Sequence, residues 1–247
     1  MFKDHFSGHA VEYAKYRPNY PEALFECLAR QARVCELAWD VATGSGQAAL
    51  GLAKHFVKVH ASDASKRQIE NAEPHERIVY RVEPAEATSL EENSVDLITA
   101  AQALHWFDLE RFYAEARRVM KERGILAAWT YGTCAIRNDI DKVIAWFYHE
   151  VVGPYWPEER KLVEQEYRTL PFPFTRLATP AFHMTAEWSL NEFVGYLGTW
   201  SATQRFGEAE RCDYRALVRP KLERAWGDEQ QKIRWPIHLL LGTCSAE

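Results

Sequence analysis

Hydrophobic and polar positions between residues 21 and 131 alternate between helix-like and strand-like patterns at short intervals. Segment 21–30 opens with a proline at a first helical position and places Leu24, Phe25 and Leu28 on one helical face. Such alternation is typical of βαβ units on a parallel sheet. The predicted strands are 34–42, 56–61, 78–82, 95–101 and 124–131, and the predicted helices are 21–30, 47–55, 65–72 and 109–120.

The pattern changes after residue 131. An aromatic and acidic stretch leads to the proline cluster 171–174, which predicts the end of a helix and a linker. Pro236 lies within the last apolar run and predicts an edge or bulged strand there. The further predicted strands are 181–188 and 232–241, and the further predicted helices are 190–200 and 214–225.

Composition narrows the class of protein. Of 247 residues, 47% are hydrophobic and 26% are charged, which excludes a disordered regulator. No segment approaches the roughly 18 apolar residues that a membrane-spanning helix needs, so we expect no membrane association. The N-terminus has no basic patch followed by an apolar run, and we therefore expect a cytoplasmic protein.

Charge and cysteine content bear on the partners. The net charge of −5 argues against the basic surface of a nucleic-acid binder and favours a small-molecule partner. Five cysteines without a C-x-x-C pair predict reduced thiols, with no disulfide framework and no metal site. We expect a monomer or a homodimer.

The segment 42–46, Ala-Thr-Gly-Ser-Gly, lies where a predicted strand ends and a helix begins. Backbone amides are free at such a turn, and glycines let a ligand approach closely, so a nucleotide-type loop is predicted. Ala49 replaces the third glycine of the dinucleotide pattern, and no Lys-Ser/Thr pair follows as in a phosphate-binding Walker loop. The alternative is an ordinary tight turn.

Two acids flank this loop. Asp63 follows the second strand at about the 20-residue offset where an acid meets ribose hydroxyls, although it could instead cap the helix near Ser65. Asp40 precedes the loop, and its carboxylate would attract a cationic cofactor and repel a pyrophosphate. The alternative for Asp40 is a hydrogen-bonding role toward the loop amides.

These residues resemble the class I S-adenosylmethionine-dependent methyltransferases, and within them the trans-aconitate methyltransferase-like small-molecule enzymes of methyltransferase domain type 11. Asp40 and the loop match the first motif, with Ala42 in place of its first glycine, and Asp63 matches the following acid. The resemblance spans nearly the whole chain. Its other matching segments are 13–21, 84–87, 93–98, 99–107 and 200–206.

The resemblance implies a site for S-adenosylmethionine and its product S-adenosylhomocysteine. Asp63 would bind the ribose hydroxyls, the loop glycines and Asp40 would serve the methionyl part, and Ala85 with Glu86 would flank the adenine. The end of the fourth strand would lie beside the sulfonium, and the N-terminal segment would close over the cofactor carboxylate or the substrate. The implied cofactor residues are Tyr13, Arg17, Asp40, Ala42, Thr43, Gly44, Gly46, Asp63, Ala64, Gln68, Ala85, Glu86, Ala101 and Gln102.

Methyl transfer from a sulfonium is an in-line displacement, so the enzyme mainly has to align the acceptor, the methyl group and sulfur. A carboxylate acceptor needs no base, whereas a neutral hydroxyl needs one. His105 is the candidate catalytic residue, either as that base or as a group that positions the acceptor. His105, Trp106 and Trp200 are the predicted acceptor-binding residues, and the aromatic residues of the last hundred positions belong to the acceptor pocket or to the core.

The resemblance implies a Rossmann-like α/β fold with a mostly parallel seven-stranded sheet and an inserted helical cap. The expected function is methyl transfer to a carboxylate or hydroxyl oxygen of a small organic molecule. RNA or protein methylation, a non-catalytic cofactor-binding domain and a nicotinamide dehydrogenase are the alternatives. The expected regions are 1–35 as N-terminal lid and first helix, 36–132 as cofactor-binding core, 133–178 as cap and 179–247 as the segment completing the fold and the acceptor pocket.

Overall fold

The computed structural model describes residues 16–244, which form an α/β fold. The helices are α1 Glu22–Ala32, α2 Gln47–Leu52, α3 Lys66–Glu70, α4 Leu109–Val119, α5 Asn138–Trp146, α6 Arg160–Glu164, α7 Leu190–Gly198, α8 Ser201–Glu210 and α9 Tyr214–Trp226. The strands are β1 Leu37–Val41, β2 Lys58–Asp63, β3 Ile78–Val82, β4 Val95–Ala101, β5 Met120–Thr130, β6 Thr175–Arg176, β7 Phe182–Trp188 and β8 Gln231–Thr243. Shorter helical turns are Leu104–Trp106, Phe147–Val151 and Gly153–Tyr155.

Across residues 16–244 the sheet has eight strands in the order β3-β2-β1-β4-β5-β8-β6, and β7 pairs with β8. The first five strands of this order are parallel, and β8 runs antiparallel to β5, β6 and β7. The seven predicted strands are all present. The additional strand, β6, has only two residues, which is too short to leave a periodic pattern in the sequence.

Apolar side chains of the central strands alternate between two layers of core. On β4, Leu97 packs into one layer and Ile98 into the other, because successive side chains of a strand point to opposite faces. Leu28 of α1 lies in the first layer and Phe112 of α4 in the second. All four side chains are fully buried, and each contributes about 1.5–3 kcal/mol from its removal from water. Both faces of the sheet are thereby covered.

Strand β8 changes its neighbours along its length. Residues 231–237 pair with β7, and residues 238–243 pair with β5. Pro236 lies opposite His183 in the first half, where the other side of β8 carries only the bridge between Ala135 and Arg234. A missing backbone N–H is tolerated there, but the second half lies inside the sheet between β5 and β6. The prediction of an edge strand is therefore wrong for that half.

The segment 133–178 contains α5, α6, two helical turns between them and the short strand β6. Helix α8 was not predicted as a separate element. No helix among residues 16–244 combines the length and the apolar character needed to cross a bilayer.

The strand order places a crevice at the carboxyl ends of β1 and β4. The chain leaves β1 toward β2 on one side, whereas β4 and β5 follow on the other side, so the connections diverge between these two strands. In open parallel sheets, ligands bind where the connections diverge in this way. The loops that follow β1 to β5 meet at this edge of the sheet.

Candidate active site

A cavity of about 540 Å³ opens at the carboxyl ends of β1 to β5, within the range of roughly 300–1,000 Å³ typical of small-molecule sites. Most of the predicted site residues line it, including both the cofactor and the acceptor candidates. Those that line it are Arg17, Ala42, Thr43, Gly44, Asp63, Ala64, Gln68, Ala85, Glu86, Ala101, Gln102, His105, Trp106 and Trp200. Asp40 and Gly46 do not line it, and Tyr13 lies outside the described residues.

The loop after β1 takes a left-handed backbone conformation at three positions. Ala42, Gly44 and Gly46 have φ angles of 52°, 57° and 89°. A Cβ built on Gly44 would meet nothing within 4 Å, so the backbone faces the cavity without a side chain. A Cβ on Gly46 would lie 2.4 Å from the hydroxyl of Tyr80, so this glycine serves close packing behind the loop.

Asp63 joins the end of β2 to this loop. Its Oδ2 accepts a hydrogen bond from the Gly44 amide at 2.9 Å, and its Oδ1 accepts one from the Ser65 amide at 2.8 Å. Asp63 itself lines the cavity. Ser65 is the N-cap of α3 and accepts a hydrogen bond from the Gln68 amide, so the cap of this helix is not Asp63.

Asp40 lies behind the loop, where sequence reasoning had expected it to support the cofactor. In β1 it pairs with Ala61 of β2 on one side and Thr99 of β4 on the other, and this position in the middle of the sheet buries it completely. Its carboxylate accepts hydrogen bonds from the hydroxyls of Thr43 and Thr99. Burial, with a smaller contribution from the charge of Asp63, raises the pKa of Asp40 to about 6. Asp40 therefore acts on the cavity only through Thr43.

The loops after β3 and β4 are tied to each other. Glu86 accepts a hydrogen bond from the Asp108 amide at 3.1 Å, and both residues line the cavity. Glu83 also lines it, and its Oε2 is 2.9 Å from Nε2 of His60 and 2.8 Å from the Thr88 hydroxyl. These contacts give the cavity wall near Ala85 a defined shape.

Gln102 joins the end of β4 to the end of β5. Its Oε1 accepts hydrogen bonds from the Thr130 hydroxyl at 2.7 Å and the Tyr131 amide at 2.9 Å, and its Nε2 donates to the Tyr131 carbonyl at 3.1 Å. Its φ of 55° places this side chain across the strand ends. The carbonyl oxygen of the Gln102 side chain thus accepts two hydrogen bonds from within the protein, and its amide nitrogen donates one.

Arg17 connects the N-terminal segment to the far side of the cavity. Its Nη1 donates to the Tyr131 hydroxyl at 3.0 Å, its Nη2 donates to the Thr199 carbonyl at 3.3 Å, and the guanidinium lies 5.6 Å from the ring centre of Tyr196. Tyr131 and Tyr196 also line the cavity. Tyr131, Tyr196 and Thr199 each lie more than a hundred positions from Arg17, and only the fold brings them together with it.

Arg160 supplies a second cation at the cavity wall. Its Nε donates to the Tyr148 hydroxyl at 2.8 Å, Tyr148 donates to Glu164 at 2.6 Å, and the guanidinium lies 4.6 Å from the ring centre of Trp156. Among residues 16–244 no carboxylate lies within 4 Å of the Arg160 guanidinium, and its two terminal nitrogens make no hydrogen bond. They remain available to an anionic ligand.

His105 lies in the turn after β4. Its Nδ1 is 2.6 Å from the hydroxyl of Tyr167, and its ring centre is 4.7 Å from that of Trp106. Burial, together with the positive charge of Arg160, lowers the pKa of His105 to about 3. The imidazole is therefore neutral at physiological pH and a weak proton acceptor.

Sequence reasoning missed several residues of the cavity wall. Tyr131 directly follows the fifth predicted strand, so its position at the strand end could have indicated it. Trp156 belongs to the aromatic stretch that was assigned to either the core or the pocket. For Arg160 no local pattern existed, because the five residues of α6 are too few to show periodicity. The missed aromatic and charged residues at this end are Tyr20, Tyr131, Trp156, Arg160 and Tyr196.

The donor set fits S-adenosylmethionine. A bare glycine backbone, an acid at the end of β2 and the three lining arginines, Arg17, Arg111 and Arg160, offer groups of the right kind for a methionyl chain, a ribose and carboxylates. Among the described residues no group of three His, Cys, Asp or Glu side chains could hold a metal ion.

Comparison with known proteins also indicates a methyltransferase. Residues 39–128 match the family described as methyltransferase domain. A Saccharomyces cerevisiae protein, CRG1, that is named as an S-adenosylmethionine-dependent methyltransferase is 27% identical over 131 residues, which cover 49% of this chain and 45% of that protein.

Two further matches cover almost the full length. A solved structure described as a type II methyltransferase from Anaeromyxobacter dehalogenans superposes with a TM-score of 0.87 and 44% identity, over 92% of this chain and 98% of that one. A Dictyostelium discoideum protein named as a methyltransferase is 34% identical over 249 residues, or 97% of this chain and 95% of that protein. The fold is that of the Rossmann-like methyltransferases, and the chain belongs to the family of S-adenosylmethionine-dependent methyltransferases.

Proposed function

We propose that this methyltransferase transfers a methyl group to a carboxylate oxygen of a small organic acid and forms a methyl ester. The proposal rests mainly on the Arg160 guanidinium, whose terminal nitrogens face the cavity without an anionic partner among the described residues. Guanidinium groups bind carboxylates through two parallel hydrogen bonds, which fixes both the position and the orientation of the acid.

The residues of the cofactor half would hold S-adenosylmethionine. Asp63, which lines the cavity, would accept hydrogen bonds from the ribose hydroxyls, and the Gly44 backbone would admit the methionyl chain. Arg17 would pair with the methionyl carboxylate. When bound, this cofactor supplies an electrophilic methyl group on a sulfonium sulfur.

The state of His105 supports an acceptor that is already ionised. A carboxylate attacks with its own lone pair and releases no proton, so the reaction requires no base. A neutral imidazole with a pKa near 3 would be a poor base for an alcohol but can donate a hydrogen bond that orients a carboxylate. His105 would thus position the acceptor rather than activate it.

The cavity walls at this end favour a flat, compact acid. Trp106, Trp156 and Trp200 line it with apolar faces, and Arg160 and the neighbouring Glu159 supply charged groups. This chemistry agrees with the trans-aconitate-like resemblance of the sequence, and acids of that kind are the first acceptors to test.

The experiment is a turnover screen with S-adenosylmethionine and a panel of small carboxylic acids, each paired with its amide and its alcohol. S-adenosylhomocysteine release is measured, and each methylated product is treated with mild alkali. We expect turnover only with the acids, and we expect alkali to release methanol because esters hydrolyse whereas methyl ethers do not. Turnover with the alcohols, or an alkali-stable product, would overturn the proposal.

Two other outcomes separate the alternative functions. Methylation of RNA or protein with no small acid as acceptor would assign the cavity to a macromolecular substrate. Tight binding of S-adenosylmethionine and S-adenosylhomocysteine in calorimetry without any turnover would favour a non-catalytic cofactor-binding domain.

A further inference from the structure

Tyr167 and His105 make a polar contact at the wall of the cavity. The hydroxyl of Tyr167 is 2.6 Å from Nδ1 of His105, and Tyr167 is fully buried. Burial raises the pKa of the Tyr167 phenol, so it stays protonated and has one hydrogen to donate. His105 lines the cavity, and its Nε2 has no hydrogen-bond partner among residues 16–244.

Two arrangements of hydrogens satisfy a distance of 2.6 Å. Either Tyr167 donates to Nδ1 and His105 carries its hydrogen on Nε2, or Nδ1–H donates to Tyr167 and Nε2 is left as an acceptor. The choice decides what His105 offers to the cavity. In the first case it offers a donor, and in the second a lone pair.

The surroundings of the phenol oxygen favour the first arrangement. Among residues 16–244, Nδ1 of His105 is the one hydrogen-bond partner of this hydroxyl. The phenol hydrogen is therefore satisfied only if Tyr167 donates it to Nδ1.

The second arrangement would need another acceptor for the Tyr167 hydrogen. No other acceptor makes a hydrogen bond with this hydroxyl among residues 16–244. The second arrangement would therefore leave the buried phenol hydrogen without an acceptor, and an unmade hydrogen bond of a buried donor is costly.

The backbone at Tyr167 has an unusual conformation that fixes the position of this side chain. Glu166 and Tyr167 have φ angles of 58° and 59°, which is uncommon for residues other than glycine and is strained for a bulky residue. The turn is held by the bond from the Tyr167 amide to the Leu162 carbonyl at 3.0 Å. Strain of this kind persists at sites where the surroundings fix a side chain.

We propose that Tyr167 is a positioning residue, which donates its hydroxyl hydrogen to Nδ1 and holds His105 in the tautomer with hydrogen on Nε2. His105 then presents an N–H donor to the acceptor oxygen in the cavity. The tautomer follows from the protein alone, whereas its use in orienting a carboxylate rests on the proposed function.

The tautomer can be observed directly by long-range ¹H–¹⁵N correlation spectra of ¹⁵N-histidine-labelled protein. The His105→Gln variant identifies the His105 signals. We expect the Nε2–H pattern in the wild type at every pH from 5 to 9, and its loss or mixing with the other tautomer in Tyr167→Phe. An Nδ1–H pattern in the wild type would overturn the proposal, as would an unchanged pattern in Tyr167→Phe.

Tyr113→Phe is the matched control. The Tyr113 hydroxyl is also largely buried and donates to the Pro171 carbonyl at 2.6 Å, in the same core layer but away from His105. Both variants lose one buried hydroxyl and should lose similar stability, but only Tyr167→Phe should change the His105 signals. Equal changes of the His105 signals in both variants would reduce Tyr167 to a structural role.

Kinetics with an acceptor from the screen then test the use of the donor. Tyr167→Phe should lower kcat about five- to tenfold and leave the Kd of S-adenosylmethionine unchanged, whereas Tyr113→Phe should keep kcat. If the tautomer is as expected but no acid is methylated, the proposed function fails and the positioning of His105 stands. If acids are methylated and kcat of Tyr167→Phe is normal, the positioning role in turnover is wrong.

Discussion

The cavity has two halves, which we name the cofactor half and the acceptor half after the ligands proposed for them, and different parts of the chain build each half. The cofactor half comes from the loops after β1, β2 and β3, and its polar groups are already bound to backbone amides, as Asp63 is to Gly44 and Ser65. The acceptor half comes from distant parts of the chain, and the terminal nitrogens of Arg160 and Nε2 of His105 have no partner among the described residues.

The difference in hydrogen bonding indicates how each half would bind its ligand. Internal hydrogen bonds fix the shape of the cofactor half before any ligand arrives, which lowers the entropic cost of binding one particular molecule. The acceptor half keeps its strongest donors open, and an unfilled donor discriminates strongly between ligands that can and cannot satisfy it. Variants in the first half should therefore change cofactor affinity, and variants in the second should change acceptor selection.

The largest effect is expected for Asp63→Ala in the cofactor half. The change removes two charge-assisted acceptors from the loop and the acceptors proposed for the ribose, so S-adenosylmethionine binding should weaken by about 2–3 kcal/mol. Calorimetric titration with S-adenosylmethionine and S-adenosylhomocysteine measures this. The exposed Glu70→Ala on the neighbouring helix α3 serves as the control with normal affinity.

An unchanged Kd for Asp63→Ala would remove Asp63 from the cofactor site. Asp63→Asn sharpens the result, because the amide oxygen can still accept one of the two loop hydrogen bonds. Its affinity should lie between those of the wild type and Asp63→Ala. A selective loss of acceptor binding in either variant would break the division of the cavity into two halves.

Arg160→Gln tests the acceptor half. Loss of the guanidinium should raise KM for a carboxylate acceptor about 10- to 100-fold, because a hydrogen bond to a charged group contributes about 1.5–3 kcal/mol. The Kd for S-adenosylmethionine should stay the same. Steady-state kinetics with varied acceptor, together with calorimetry, separate the two quantities.

Arg224→Gln is the matched control, since Arg224 is exposed on α9 and does not line the cavity. Both variants remove one positive charge, so a general electrostatic effect would appear in both. A normal KM in Arg160→Gln would refute the assignment of Arg160 to the acceptor carboxylate. A weakened cofactor Kd would move Arg160 to the other half.

The sequence predicted the cofactor half much better than the acceptor half, and the reason is physical. Loops after parallel strands meet at one edge of the sheet, so residues that directly follow each strand, such as Gly44, Asp63 and Gln102, could be placed without knowing the tertiary packing. Arg160 lines the cavity and Tyr167 contacts His105 only because the segment 133–178 packs against the sheet. Local periodicity in the sequence does not predict that packing.

Asp40 shows what strand-end reasoning does not predict within the cofactor half. The strand pairs it between Ala61 and Thr99, and its buried carboxylate bonds to the hydroxyls of Thr43 and Thr99 and does not line the cavity. Sequence distance to a strand end does not tell whether a side chain lies in front of the loop or behind it.

Asp40→Asn tests this buried position through the pH dependence of stability. The pKa of Asp40 is about 6 in the folded protein against 3.8 ordinarily, so the folded state binds a proton that the unfolded state lacks between these values. The unfolding free energy of the wild type should therefore rise relative to Asp40→Asn as the pH falls from 7 to 4, by about 2 kcal/mol. Urea denaturation of both proteins at several pH values measures the difference.

A constant difference between the two proteins over this pH range would mean that Asp40 is not protonated in the fold as its burial implies. Exposed Asp213, which accepts a hydrogen bond from the Arg215 amide, supplies the control as Asp213→Asn. The difference between wild type and Asp213→Asn should not grow as the pH falls.

The smallest effect is expected for Ala42→Gly, at the position where this chain departs from the glycine of the family motif. A φ of 52° costs an alanine about 1–2 kcal/mol, and glycine removes that cost but loses about 0.5–1 kcal/mol through the greater freedom of its unfolded chain. The variant should therefore gain only about 0.5 kcal/mol in urea denaturation, with an unchanged Kd for S-adenosylmethionine. Ala42→Val, which puts a β-branched side chain into the same conformation, should lose more stability than the glycine variant gains. A cofactor half that is fixed by its own hydrogen bonds tolerates the glycine without loss of affinity. If Ala42→Gly weakened binding, the alanine methyl group would itself contact the ligand. Side chains, and not only the loop backbone, would then contribute to cofactor affinity, as they are proposed to do for the acceptor.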